Sequence, residues 1–216
     1  MISEVDTQIG RIIQALKESG QMDNTILVFA SDNGLAVGQH GLLGKQNLYD
    51  HSVRVPLVIS VPGLEKEKGT KKDVNCYLYD VYPTLCDLTG TQPAPSVTGK
   101  SLLPVIKGAD KHRDCLFLAY NSIQRGLVKD GWKYIIYNVG GFRTEQLFDL
   151  KNDPWEMVNH AQEPAYAFKL GAYKKLLKEE MEKNNDFCNL DDFFWWGKGE
   201  MLPWNEGKKL YTDPDK

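Results

Sequence analysis

Apolar residues recur at Val5, Ile9, Ile12, Ile13 and Leu16, and Ser19-Gly20 supplies a stop, so residues 3 to 19 predict an amphipathic helix. The period then changes. Thr25-Ile26-Leu27-Val28-Phe29-Ala30 is a run of β-prone residues that predicts a buried strand of an open sheet, ending in Ser31-Asp32-Asn33-Gly34. A second apolar run, Val53 to Val61, is closed by Pro62-Gly63. Helix, strand, loop and strand in this order predict an α/β sheet with a crossover. The charged stretch Glu65 to Asp73 reads as a solvated turn, Tyr79 to Leu88 as a short helix ending at Gly90, and Gln92-Pro93-Ala94-Pro95 as a loop.

Around Gly108-Ala109-Asp110 the texture shifts to short alternating or apolar runs: Cys115 to Tyr120, Gly126 to Lys129, and Trp132 to Tyr137. Asp130-Gly131, between the last two, is a strong hairpin signal. Gln146 to Leu150 continues as another strand, and Ala165 to Asn184 is a helix rich in Lys and Glu, with pairs such as Lys175 to Glu179 on its solvated face. The pattern therefore divides into residues 1 to 108, part of an α/β sheet, and residues 109 to 216, a small antiparallel sheet carrying a helix. No internal repeat or low-complexity tract is present.

Composition narrows the function classes. The chain has 216 residues, 42% of them hydrophobic and 25% charged, enough for a sizeable core. Its formal charge of −3 comes with no local Lys/Arg stripe, which argues against nucleic-acid binding. No run approaches the roughly 18 to 20 apolar residues of a membrane span, and Met1 to Asp6 lacks a basic n-region and an apolar h-region, so no export signal is expected here. Cys76, Cys86, Cys115 and Cys188 form no CxxC pair and read as buried thiols with room for one disulfide. They do not decide the compartment.

The candidate chemistry lies after the first strand. Ligands of open sheets sit outside the carboxyl ends of the strands, where Asp32 and Asn33 stand. A carboxylate beside an amide carbonyl offers hard oxygens suited to Ca²⁺ or Mg²⁺, and Lys45 can hold an anion as a compact point charge. Taken alone, Asp-Asn-Gly also fits a plain turn. Arg54 reads as a structural ion-pair partner; His51, His112 and His160 have no partner at metal spacing and read as surface or structural. Phe193-Phe194-Trp195-Trp196 with Trp204 fits either sugar stacking or docking on the sheet, and docking is the simpler reading.

Together these segments resemble the C-terminal part of a type I sulfatase, within the alkaline-phosphatase-like superfamily. The resemblance rests on Asp6-x-x-Ile9-Gly10-Arg11, Asp23-Asn24-Thr25-Ile26, Ser31-Asp32-Asn33-Gly34, and Gly38 through Asp50 with Arg54-Val55-Pro56-Leu57. It continues through Asp80-Val81-Tyr82-Pro83-Thr84-Leu85, Gly99 to Pro104, and Gln146 to Glu156. It implies the fold just described, as the back half of the family's mixed sheet with flanking helices. It also implies sulfate-ester hydrolysis, with a carbohydrate as the expected substrate, by a formylglycine hydrate made from a C/S-x-P/A-x-R motif. A divalent metal, usually Ca²⁺, would be held by Asp32 and Asn33; Lys45 would clamp the sulfate, and His40 would contact the sulfate or the leaving group. Members are often periplasmic, secreted or lysosomal.

One departure matters more than the matches. No cysteine or serine in the chain is followed four residues later by Arg, and the paired-Asp motif with the first strand is also absent. The chain alone is therefore expected to be inactive, with an exposed sheet edge that a partner chain would cover. Two alternatives remain open: a non-catalytic remnant that binds sulfated ligands or assembles with a partner, and a phosphoesterase relative.

Overall fold

The element boundaries follow these local signals closely in a computed structural model that describes residues 2–64, 69–139 and 142–189. In chain order they are α1 (Ile2–Glu18), β1 (Leu27–Ala30), β2 (Ala36–Val37), β3 (Leu43–Gly44), α2 (Asp50–Val53), β4 (Leu57–Ser60), α3 (Val81–Thr89) and α4 (Leu103–Ile106). Strands β5 (Cys115–Tyr120), β6 (Gln124–Lys129), β7 (Trp132–Val139) and β8 (Phe142–Asp149) follow, then α5 (Ala167–Lys183). The Phe193 to Trp204 cluster, and Glu65 to Lys68 of the charged turn, lie outside the described residues. The chain separates into two compact units, Met1–Asp32 with Val55–His112, and Asn33–Arg54 with Arg113–Lys216. A division at 108/109 falls close to the third of these breaks, at 112/113, but residues 33 to 54 group with the C-terminal sheet.

In the first unit, β1 and β4 pair antiparallel in the register Leu27↔Ser60 to Ala30↔Leu57. This corrects the expected crossover, which would join parallel strands. It also corrects the expected burial of the first strand, because Val28 and Phe29 remain 37% and 45% exposed. The reason is that β1 and β4 form a two-stranded ribbon among the described residues, so no further strand packs beside them. Helix α1 likewise has the predicted amphipathic pattern and no buried residue. Order comes instead from Asp80, wholly buried, whose carboxylate accepts the amides of Lys100 and Tyr77 at 2.8 and 2.9 Å and pairs with His112 at 3.1 Å. His112 is thus structural, as its sequence context indicated.

The second unit is built on an antiparallel meander, β5-β6-β7-β8. The turn between β6 and β7 has positive φ at both Asp130 (49°) and Gly131 (75°), the backbone twist of a type I′ hairpin. Alternation then puts two sets of β7 residues on opposite faces. Tyr134 and Ile136 join Leu127 and Leu147 in a core capped by Tyr173, Leu177 and Met181 of α5. Ile135, with Phe148, faces Leu48 and Tyr49 of the 33–54 segment. The sheet is therefore covered on both sides, by a helix and by the segment that carries His40 and Lys45. All four cysteines are free thiols, and Lys175 lies 3.9 Å from Glu179 as the helical spacing predicted. No helix among the described residues is long and apolar enough to cross a membrane.

Candidate functional site

The segment from Asn33 to Arg54 begins at a close approach. Gly34 donates its amide to Ser52 O at 2.9 Å, and a Cβ built on Gly34 would sit 1.9 Å from His51 O. Only glycine lets the Asn33 turn lie against α2 in this way. A miniature hairpin follows, Ala36↔Gly44 and Val37↔Leu43, closed by Gly38-Gln39-His40-Gly41. Hydrogen bonds from Gly38 N to Leu42 O and from Leu42 N to Gln39 O fix that turn at 3.0 and 2.9 Å. They hold His40 in the left-handed region, φ 54° and ψ 24°, a conformation that costs a non-glycine residue about 1–2 kcal/mol. Such strain concentrates at functional positions.

Packing fixes the His40 side chain as well as its backbone. Its ring stacks on Tyr49 with centroids 4.0 Å apart and planes within 5°. Tyr49 is buried; its hydroxyl donates to Gln146 Oε1 at 2.9 Å and lies 2.5 Å from the Tyr137 hydroxyl. With the Tyr49 hydrogen on Gln146, the Tyr137 hydroxyl donates to the Tyr49 oxygen, and burial, then this hydrogen bond, pushes the Tyr137 phenol pKa up. Two side chains on β7 and β8, Tyr137 and Gln146, thus orient Tyr49, the support for His40. Lys45 follows β3 directly and is exposed, while the backbone just after it is tied down through Asn47 N to Lys45 O at 3.0 Å. Its neighbour's carbonyl, Gln46 O, accepts from Gln124 Nε2 of β6 at 3.4 Å.

Beneath this segment is an ion cluster. Lys133 of β7 is 0% exposed, with its ammonium 3.2 Å from Leu48 O, hydrogen-bonded to Asp50, and 2.6 Å from Glu156 Oε1. Glu156, 3% exposed and at φ 58°, accepts the Asp50 amide at 2.7 Å and so caps the first turn of α2. Burial pushes its carboxyl above the ordinary range, opposed by the Lys133 charge. Arg54 pairs with Asp50 at 3.6 Å, as its sequence context indicated. A cleft of about 320 Å³ opens beside the cluster, lined by residues including His40, His51, Arg54, Trp155 and Glu156. His51 therefore lies in a cleft wall beside His40, 5.7 Å between ring centroids.

Burial, then the neighbouring His40 and Lys133, lowers the His51 pKa, while Asp50 opposes the shift. The unfolded chain takes a proton near pH 6.5 and the folded ring resists it, so stability is lost as pH falls through that value. His51→Gln is expected to flatten the change in urea midpoint between about pH 7.5 and about pH 5.5. An unchanged slope would show that another group carries this dependence.

The sequence-predicted residues divide between the two units. His40, Lys45 and Asn33 belong to the second, held by the contacts above; Asp32 closes the first segment of the other and is exposed. Asp32 and Asn33 offer side-chain oxygens, the donor type a hard divalent cation requires, and would be two of the roughly six to eight ligands Ca²⁺ takes. Among the described residues, no three His, Cys, Asp or Glu side chains gather as a further metal cluster. Sequence reasoning assigned no role to Lys133, Tyr49, Tyr137, Glu156 or Trp155. A usable signal existed for Lys133, because alternation places it on the same face of β7 as Ile135.

The chain is similar to known proteins over most of its length. A Sulfatase family model matches residues 1–91. A sulfatase of Formosa agariphila is 33% identical over 177 residues, 82% of this chain and 34% of that protein. Among solved structures, a protein in complex with its substrate D-glucosamine-2-N,6-O-disulfate superposes with a TM-score of 0.79 and 28% identity, over 88% of this chain and 41% of that one. The phosphonate monoester hydrolase of Agrobacterium radiobacter gives a TM-score of 0.74 and 31% identity, over 85% of this chain and 40% of that one. Fold and matches together define a mixed α/β protein of the alkaline-phosphatase-like class. Within it, the chain belongs to the sulfatase family, of which it spans about a third of the length of the curated relatives it matches.

Proposed function

We propose that this chain is the C-terminal portion of a sulfatase that hydrolyses a sulfate ester of a carbohydrate. The observation that carries the reading is the immobilised segment 33–54, which presents His40 and Lys45 at the family's motif positions from a two-sided sheet. Lys45, exposed on a fixed backbone, balances the negative charge of a sulfate group as it is transferred. His40 would hydrogen-bond the sulfate through a ring nitrogen or pass a proton to the departing sugar oxygen. Asp32 and Asn33 would hold Ca²⁺ or Mg²⁺, which when bound supplies positive charge at the sulfate oxygens. The nucleophile comes from outside these residues, because no C/S-x-P/A-x-R occurs in them.

Two supports favour sulfate and sugar: the sulfatase relative, and the structural neighbour solved with a disulfated glucosamine. The phosphonate monoester hydrolase neighbour favours a second reading, hydrolysis of a phosphonate or phosphate ester on the same framework. Purified as it stands, the chain is expected to show no aryl-sulfate turnover, and measurable turnover would overturn the external nucleophile. Joined to a front segment carrying the paired-Asp and formylglycine motifs, it is expected to release sulfate. Lys45→Ala is then expected to lower kcat/KM about 10²-fold, as loss of one charge-stabilising donor does. Preference for a phenyl phosphonate over the matched sulfate in that assay would decide for the second reading.

A further inference from the structure

The cleft beside His40 has one wall that the proposed sulfate chemistry does not use. It is formed by the turn after β8, where Pro154 and Trp155 precede the buried Glu156. Trp155 is 72% exposed, a large apolar surface left in water next to a concavity. Across the cleft stand His51 and Arg54 of the 33–54 segment, with Gln39 beside His40. The two carboxylates of the lining, Asp50 and Glu156, both meet Lys133, and Asp50 also pairs with Arg54, so two cations stand against their charge. Arg54 has a side chain 70% exposed and a 3.6 Å contact with Asp50, a solvated pair of the kind that contributes little and is readily shared with an incoming anion. An aromatic face, a guanidinium and uncharged hydrogen-bonding groups around about 320 Å³ match the chemistry of an acidic sugar ring.

Resting on the sulfatase reading, we propose that this cleft is a sugar subsite, in which a pyranose ring stacks on Trp155 and its anionic substituent, sulfate or carboxylate, pairs with Arg54. The same sugar then reaches His40 from the cleft, so that turn of the chain contributes to both recognition and chemistry. The His51 ring is one hydrogen bond short, since its buried Nε2 has no partner among the described residues. It is suited to a single hydroxyl or water at the cleft floor.

The test uses the chain as it exists and nuclear magnetic resonance of two reporters, the Trp155 indole N–H, assigned with Trp155→Phe, and the His40 ring. N-acetylglucosamine 6-sulfate, N-acetylglucosamine and glucuronate are titrated in turn. The expected result is a saturable shift at Trp155 with the 6-sulfate, with glucuronate separating carboxylate from sulfate recognition and unsulfated sugar binding more weakly. Arg54→Gln is expected to weaken binding of the charged sugars about fivefold and leave the uncharged sugar unchanged. Shifts at His40 without any at Trp155 would overturn the subsite and leave the sulfatase reading standing. Shifts at Trp155 without any at His40 would support the subsite and count against His40 as a sulfate contact. Silence at both reporters, in a chain whose amide spectrum shows the folded sheet, would overturn the subsite.

Discussion

Lys133→Met is expected to destabilise the second unit by about 3–5 kcal/mol, the cost of removing one member of a buried ion pair and leaving its partners uncompensated. Lys133 is wholly buried and meets Asp50, Glu156 and the Leu48 carbonyl. Methionine fills a similar volume, so packing contributes little to the loss, and the penalty comes from two carboxylates held together with only the solvated Arg54 beside Asp50. The triple variant D50N/K133M/E156Q removes those charges and is expected to recover most of the stability, because a buried ion cluster is often no better than a neutral one. Urea midpoints at constant m-value measure both. A single variant as stable as the parent chain would mean that the cluster is not buried in solution.

Gly34→Ala is expected to cost about 3 kcal/mol or more, at the upper end of what overpacking inflicts. The added methyl would lie 1.9 Å from His51 O and 2.9 Å from His51 C, and both are backbone atoms that no side-chain rotation can clear. Relief requires the Asn33 turn to lift away from α2, breaking the bond from Gly34 N to Ser52 O. Loss of hydrogen-exchange protection at Gly34, with the β5–β8 amides still protected, would show this local detachment. If the β5–β8 amides lose protection in step with Gly34, the turn and the sheet are one cooperative unit. Retained protection at Gly34 would mean that the close approach is absent.

Most elements were legible because their signals are local. The Asp130-Gly131 hairpin declares its own backbone conformation, and the repeat of Val5, Ile9, Ile12 and Leu16 declares α1, so both formed where expected. The pairing of β1 with β4 was not legible, since strand direction depends on where the intervening chain returns, and an apolar run carries no sign for direction. The same limit hid the second cover of the C-terminal sheet. Leu48 and Tyr49 sit in a polar, glycine-rich stretch that reads as a loop, yet they form a core with Ile135 and Phe148. At the candidate site, Asp32, Asn33 and Lys45 were picked out from their place after the first strand, and His40 through the family resemblance. Lys133 and Glu156 were not, because a lone lysine in a strand reads as solvent-facing until a partner far along the chain is brought to it.

The distance along the chain between those partners has a consequence for synthesis. Asp50 and Glu156 are 106 residues apart, and Asp50 and Lys133 are 83 apart. At about 5–20 residues per second, a ribosome needs roughly 5–20 s after making Asp50 before Glu156 exists to cap it. During that interval the segment bearing His40 and Lys45 has no sheet to lie on. The chemistry-bearing loop is therefore made early and shaped late, and a nascent chain stalled before β8 would carry His40 and Lys45 with the platform beneath them still incomplete.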